Sequence, residues 1–254
     1  MSDLTAKNLT VARSGKTLLH PTDLSLSKGE LVVLLGPNGS GKTTLLRSLV
    51  QPSVKNGCVQ LGDRKVSDFS ATERARHIAY LPQTRPLAWP NRVRDIVALG
   101  RLPHGGKTGK LSETDSVIIE KAIADCSISH LADRTVDTLS GGELARMHCA
   151  RVFATQADFI IADEPVAALD PLHQYKVMQL FQTYAKAGGG VLVVLHDIQL
   201  AARFADRLLW MKDGCLIANG PPSETLTQEL LKNVFQVNAK IDQGQIDILG
   251  PAIE

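Results

Sequence analysis

Along this chain, short runs that are apolar at every position alternate with longer stretches in which apolar residues recur every third or fourth place. The runs Leu31–Leu35, Ile78–Leu81, Phe159–Ala162 and Val191–Leu195 are each bounded by polar or turn-forming residues. Brief and continuously apolar, they predict strands of a parallel sheet covered on both faces. Between them the helical period governs. Ile119, Ala122, Ile123 and Cys126 share one helical face, behind a capping box predicted from Ser112 and Asp115. The same spacing returns in Ala145, Cys149, Val152 and Phe153, and in Val177, Leu180, Phe181 and Tyr184. Strands alternating with helices predict an α/β fold. Residues 86–157 carry only loops and helical periodicity, which predicts a small helical subdomain inserted into the parallel-sheet core.

Composition changes this picture little. At 254 residues, 44% hydrophobic and 21% charged, the chain can bury one large or two small cores. Its longest apolar runs fall far short of the roughly 20 residues needed to span a bilayer. The start MSDLTAKNLT lacks the basic and apolar segments of a secretory signal, so a soluble protein in the cytosol is expected. Cys58, Cys126, Cys149 and Cys215 are scattered without a C-x-x-C pair, so reduced thiols are expected, two of them in the core. A net charge of +2 gives no footprint for nucleic acid, and the basic stretch Arg92, Arg94, Arg101, Lys107 and Lys110 reads as a solvated face.

The chemistry begins at LLGPNGSGKTTLL. Gly36 to Thr43 (Gly36, Pro37, Asn38, Gly39, Ser40, Gly41, Lys42, Thr43) fits G-x-x-x-x-G-K-[ST], after a predicted strand and opening a predicted helix from Thr43 to Leu49. The glycines let backbone N–H groups converge on phosphate oxygens, and the helix N-terminus adds partial positive charge. Lys42 can reach the outer phosphates, and the Thr43 hydroxyl is suited to Mg²⁺, with Thr44 next to it on the nucleotide. A second apolar strand, FIIADE, ends in Asp163 and Glu164, at the strand end where such sheets bind ligands. Asp163 is expected to hold magnesium through water and Glu164 to lie nearer the γ-phosphate.

Downstream stands TLSGGELAR, and with it the sequence resembles the ATP-binding subunits of ABC transporters. Gln83 in YLPQ resembles that family's Q-loop, Ala168-Leu169-Asp170 its D-loop, and His196 after VLVVL its switch histidine. The resemblance spans about residues 4–225 and leaves 226–254 as a C-terminal extension. It implies a P-loop NTPase core with a mostly parallel sheet, an N-terminal antiparallel β part and the inserted helical subdomain. It implies ATP and Mg²⁺ as ligands, with Gln83 touching the metal site and Glu164, His196 and Gln83 serving catalysis. It also implies a homodimer in which each ATP lies between one copy's phosphate loop and the other copy's Ser140, Gly141 and Gly142, with Asp170 nearby. The physics agrees, since Ser140 to Gly142 open a helix whose N–H groups make a second anion site. Ser140 and Glu143 also form a plain capping box, and Asp170 before Pro171 is a good N-cap in its own right. Where many members have an adenine-stacking aromatic residue, this chain has Arg13, whose guanidinium can stack on a base and leaves GTP open beside ATP.

Lys42 and Ser140 are too close in sequence to admit the long coiled coil of chromosome ATPases, and a single cassette separates the chain from duplicated translation factors. The segment Val97-Ala98-Leu99-Gly100-Arg101-Leu102-Pro103-His104 resembles the subunits that energise import of ferric siderophores, haem and cobalamin. By that resemblance, Pro86 to His104 lines the groove that receives a helix of an integral membrane permease, unless it is simple helix packing. The expected function is an ATP-hydrolysing importer subunit at the cytoplasmic face of the inner membrane, with a substrate-binding protein outside. The alternatives are an importer of another substrate and a soluble iron-sulfur assembly ATPase.

Overall fold

The structure, a computed structural model, describes residues 3–51, 56–83, 91–106, 111–242 and 245–252. Strands β1 (Leu4–Arg13) and β2 (Lys16–Leu26) form a hairpin, and β3 (Leu31–Leu35) runs into helix α1 (Lys42–Val50). Strands β4 (Asn56–Leu61) and β5 (Arg64–Lys65) follow, then α2 (Ala71–His77) and β6 (Ile78–Leu81). Helices α3 (Val93–Ala98), α4 (Glu113–Asp125) and α5 (Gly141–Ala154) come next without an intervening strand. The chain returns through β7 (Phe159–Asp163), α6 (Pro171–Lys186), β8 (Gly190–Val194) and α7 (Ile198–Phe204) to β9 (Arg207–Lys212) and β10 (Cys215–Gly220). It closes with α8 (Pro222–Thr225), α9 (Gln228–Phe235) and a hairpin of β11 (Val237–Asp242) and β12 (Gln245–Pro251).

Two principal sheets result, of order β2-β1-β4-β5 and β10-β9-β3-β8-β7-β6. The first is antiparallel; the second is parallel except for its edge strand β10. Strand β3 shows why its run is apolar throughout. Leu31, Val33 and Leu35 face the helices on one side, while Val32 and Leu34 face α1 and the antiparallel sheet on the other. All five are fully buried, each side chain contributing roughly 1.5–3 kcal/mol by burial. The four predicted strands are all present, β8 beginning one residue earlier and ending one earlier than its apolar run. Cys126 and Cys149 are buried as expected.

Two local expectations change. Ser112 does cap α4 by accepting from Asp115 N at 3.0 Å, but Asp115 sends nothing back to the Ser112 backbone. Its carboxylate instead accepts from Arg101 Nε at 2.7 Å and from the Ser112 hydroxyl at 2.8 Å. Arg101 also donates to Ala154 O at 2.9 Å, which fastens the end of α3 to both α4 and α5. The Arg101 guanidinium holds the Asp115 carboxyl below the usual range, with Ser112 adding to the effect. The second change concerns Val97 to Arg101. Val97, Ala98, Gly100 and Arg101 are buried, and a Cβ on Gly100 would lie 2.4 Å from Arg151 O. These residues pack the helices together rather than offering a docking face; Leu102 and His104 are exposed. Thr84 to Pro90, within the expected groove, and Lys107 and Lys110 of the basic stretch lie outside the described residues.

Candidate nucleotide-binding site

Four connections leave the carboxyl ends of parallel strands on the same edge of the sheet, where ligands of open α/β sheets bind. They carry the glycine loop after β3, Gln83 after β6, Glu164 after β7 and His196 after β8. The loop is held tightly. A Cβ on Gly36 would lie 2.3 Å from Met211 O, and Gly41, at φ +100°, has Leu18 O 2.9 Å from where its Cβ would stand. Only glycine fits either place. Lys42 folds back over the loop, donating to Gly36 O at 2.7 Å and Pro37 O at 2.8 Å. Burial lowers its pKa, partly offset by the carboxylates of Glu164 and Asp163.

Thr43 Oγ1 donates to Asp163 Oδ2 at 2.7 Å, joining the start of α1 to the end of β7. Asp163 is fully buried and its Oδ1 has no hydrogen-bond partner among the described residues. Burial raises its pKa, so folding penalises the ionised form at neutral pH and a cation at Oδ1 would relieve that penalty. Next in sequence, Glu164 sits at φ +50°, a region that a non-glycine residue enters only when its surroundings force it. Its Oε1 meets His196 Nε2 at 2.6 Å and its Oε2 accepts from Gln83 Nε2 at 2.9 Å. Both carboxylate oxygens are thus fixed in direction, and among the described residues Gln83 uses only its amide nitrogen in this contact.

These groups open on a cleft of about 720 Å³. Asn38, Gly39, Gly41, Lys42, Thr43 and Thr44 line one wall, and Gln83, Glu164 and His196 another. The third wall, Lys16 to Leu18, His20 and Asp213–Gly214, was not foreseen. A tertiary contact builds it: His20 N donates to Gly214 O, and Gly214 N donates to Ser40 O, both at 2.9 Å. The Asp-Gly pair is a turn signal that the sequence does carry. Arg13 is exposed at the end of β1, paired with Lys16 across the hairpin, and does not line the cleft. Ser140, Gly141, Gly142 and Asp170 also lie outside it. Ser140 caps α5 reciprocally with Glu143, at 3.3 and 2.8 Å. A Cβ on Gly142 would stand 3.5 Å from Ala168 O, so the SGG turn and the segment leading to Asp170 are neighbours. Asp170 caps α6, accepting from His173 N at 3.0 Å.

Fold and cleft together define a P-loop nucleotide-binding ATPase. The family model described as ABC transporter matches residues 19–167. The chain belongs to that family, as one of its ATP-binding, ATP-hydrolysing subunits. It is 40% identical to the hemin import ATP-binding protein HmuV of Plesiomonas shigelloides, over 92% of this chain and 95% of that protein. It is 41% identical to the protein of the same name from Pseudomonas aeruginosa, over 94% and 95%. Among solved structures it resembles an inward-facing metal-chelate type ABC transporter, with a TM-score of 0.79 at 24% identity, covering 98% of this chain and 96% of that one. It also resembles a cassette solved as a dimer with ADP and phosphate after hydrolysis, with a TM-score of 0.74 at 27% identity, covering 86% and 98%.

Proposed function

We propose that this chain hydrolyses ATP to drive haem import, two copies acting together beneath integral membrane permease subunits fed by an external substrate-binding protein. The observation that carries the reading is near-full-length similarity to hemin import ATP-binding proteins, in a chain whose cleft brings Lys42, Thr43, Gln83, Glu164 and His196 together. No helix among the described residues is long and apolar enough to cross a membrane, and in this reading the permease chains supply the membrane-spanning part. Residues 1–225 form the ATPase unit in this reading, with 86–157 as its helical subdomain and 226–254 as an extension.

In the proposed mechanism the loop N–H groups and Lys42 hold the phosphate chain, and Glu164, steered by His196 and Gln83, polarises the attacking water. The buried, half-unsatisfied Asp163 beside the Thr43 hydroxyl suits a hard cation, so Thr43, Asp163 and the side-chain carbonyl of Gln83 would hold Mg²⁺. Bound there, the ion would supply charge neutralisation to the phosphates. Chelation with EDTA is therefore expected to abolish turnover, and excess magnesium to restore it; unchanged turnover in EDTA would refute the assignment.

Ser140, Gly141 and Gly142 face a partner copy's nucleotide in this reading, with Asp170 beside them. The Glu164→Gln protein should dimerise in saturating Mg-ATP, and a monomer in sedimentation under that condition would count against the shared site. Arg13 lies outside the cleft but pairs across the hairpin with Lys16, which lines it; with its guanidinium assigned to a base that reaches past that wall, Arg13→Ala should weaken ATP binding by about 1 kcal/mol, and unchanged affinity for ATP and GTP would remove it from the site. Coupling to the permease falls on the exposed part of its segment. Leu102→Arg is expected to lower uptake while the isolated chain keeps its ATPase rate, and normal uptake would place the contact elsewhere.

A further inference from the structure

A second cleft, of about 630 Å³, lies where the C-terminal segments pack on the ATPase core, away from the nucleotide. Its volume is that of an ordinary small-molecule site. Ala202, Leu226 and Ile241 give it apolar walls from α7, from the end of α8 and from β11. Its polar groups are Ser223, Gln245, Gln199 and the guanidinium of Arg203, and none of its lining residues is acidic. Arg203 donates to the Tyr175 hydroxyl at 3.1 Å and lies over that ring, with no carboxylate partner among the described residues. One cation with no carboxylate partner among the described residues, beside apolar walls and uncharged polar side chains, matches a molecule with an apolar body and a single negative group.

The cleft is also tied to the catalytic end of the molecule. Helix α7 forms one wall and begins directly after His196, with Asp197 capping it by accepting from Leu200 N at 2.8 Å. Gln199 on the same helix accepts from Ile246 N of β12 at 2.9 Å, so α7 is held from the hairpin side as well. Any displacement of α7 reaches His196 within two residues, and His196 orients Glu164. We propose that this cleft binds a small amphipathic carboxylate and that its occupancy slows ATP turnover by shifting α7 and His196. The proposal rests on the ATPase activity alone and is independent of what is imported.

The test uses decanoate with the full chain, binding being followed by calorimetry and turnover by phosphate release. One saturable site is expected, weakened about tenfold or more by Arg203→Gln, as loss of a charge-assisted hydrogen bond implies. Binding should vanish in Ala202→Trp, which fills the cleft, and persist in Lys42→Ala. Saturating decanoate should lower wild-type turnover by about fivefold, the lower range of coupling between sites, and leave Ala202→Trp unaffected. If Ala202→Trp does not fold, Ser223→Trp closes the same cleft from an exposed position. Absence of saturable binding would overturn the proposal, as would equal binding by wild type and both cleft variants. Loss of binding in Lys42→Ala would move the ligand to the nucleotide cleft, and binding with unchanged turnover would remove the link to His196; either result overturns it.

Discussion

Glu164→Gln is expected to bind Mg-ATP as tightly as the wild type and to lose roughly 10²- to 10⁴-fold in turnover, the usual contribution of a positioned general base. The geometry makes this substitution informative. Glutamine keeps the side-chain length and one acceptor oxygen, and Gln83 can still donate to it at the position where it now meets Oε2. What is lost is the basic carboxylate opposite His196 Nε2. Single-turnover phosphate release, compared with nucleotide binding measured on the same preparation, separates the chemical step from affinity. Turnover near the wild-type rate would mean that another group polarises the water.

The second large effect is on stability. Arg101→Ala leaves Asp115 without its principal partner in a buried setting, where breaking an ion pair from one side costs about 3 kcal/mol. It also frees Ala154 O, the acceptor that ties α5 to the end of α3. The pairing lowers the Asp115 pKa, so its contribution is full above the unfolded-state value and is lost as pH falls through the folded-state value. Denaturant unfolding should therefore show a large deficit in the variant at neutral pH, shrinking as the solution is made acid. Equal stability of the two proteins at neutral pH would show that the pair contributes nothing net.

Arg101 also marks the boundary of what the sequence could say. Its segment resembled a docking surface, yet docking and packing draw on the same residue types, and only the contact of Gly100 with the Arg151 backbone separates them. The central strands were legible for a physical reason. A strand covered on both faces is apolar at every position, as β3, β7 and β8 are. Strand β9 is covered in the same way, with Leu208 to Met211 fully buried, but the brief apolar run between Arg207 and Lys212 did not stand out. Strand β12 is poorly legible because Ile248 and Leu249 are exposed, so no face of it reads as inward.

The site divides similarly. Lys42, Thr43, Asp163 and Glu164 follow apolar strands with local signatures, His196 is singled out only by the family resemblance, and the fold brings all five to one end of the sheet. Lys16 to Leu18 and His20 carry no signature, because the contact that brings β2 against Gly41 and Gly214 joins distant parts of the chain. Glycines 36 and 41 show the converse. Their spacing is visible in sequence, while the reason for them, the carbonyls of Met211 and Leu18, is visible only in the fold.

Haem accumulation by cells lacking the gene, complemented with the wild-type or the Glu164→Gln chain, tests the whole account most directly. The wild-type chain should restore ATP-dependent haem uptake, and the Glu164→Gln chain, made in equal amount, should not. Haem uptake unaffected by the deletion, or restored equally by both chains, would contradict it.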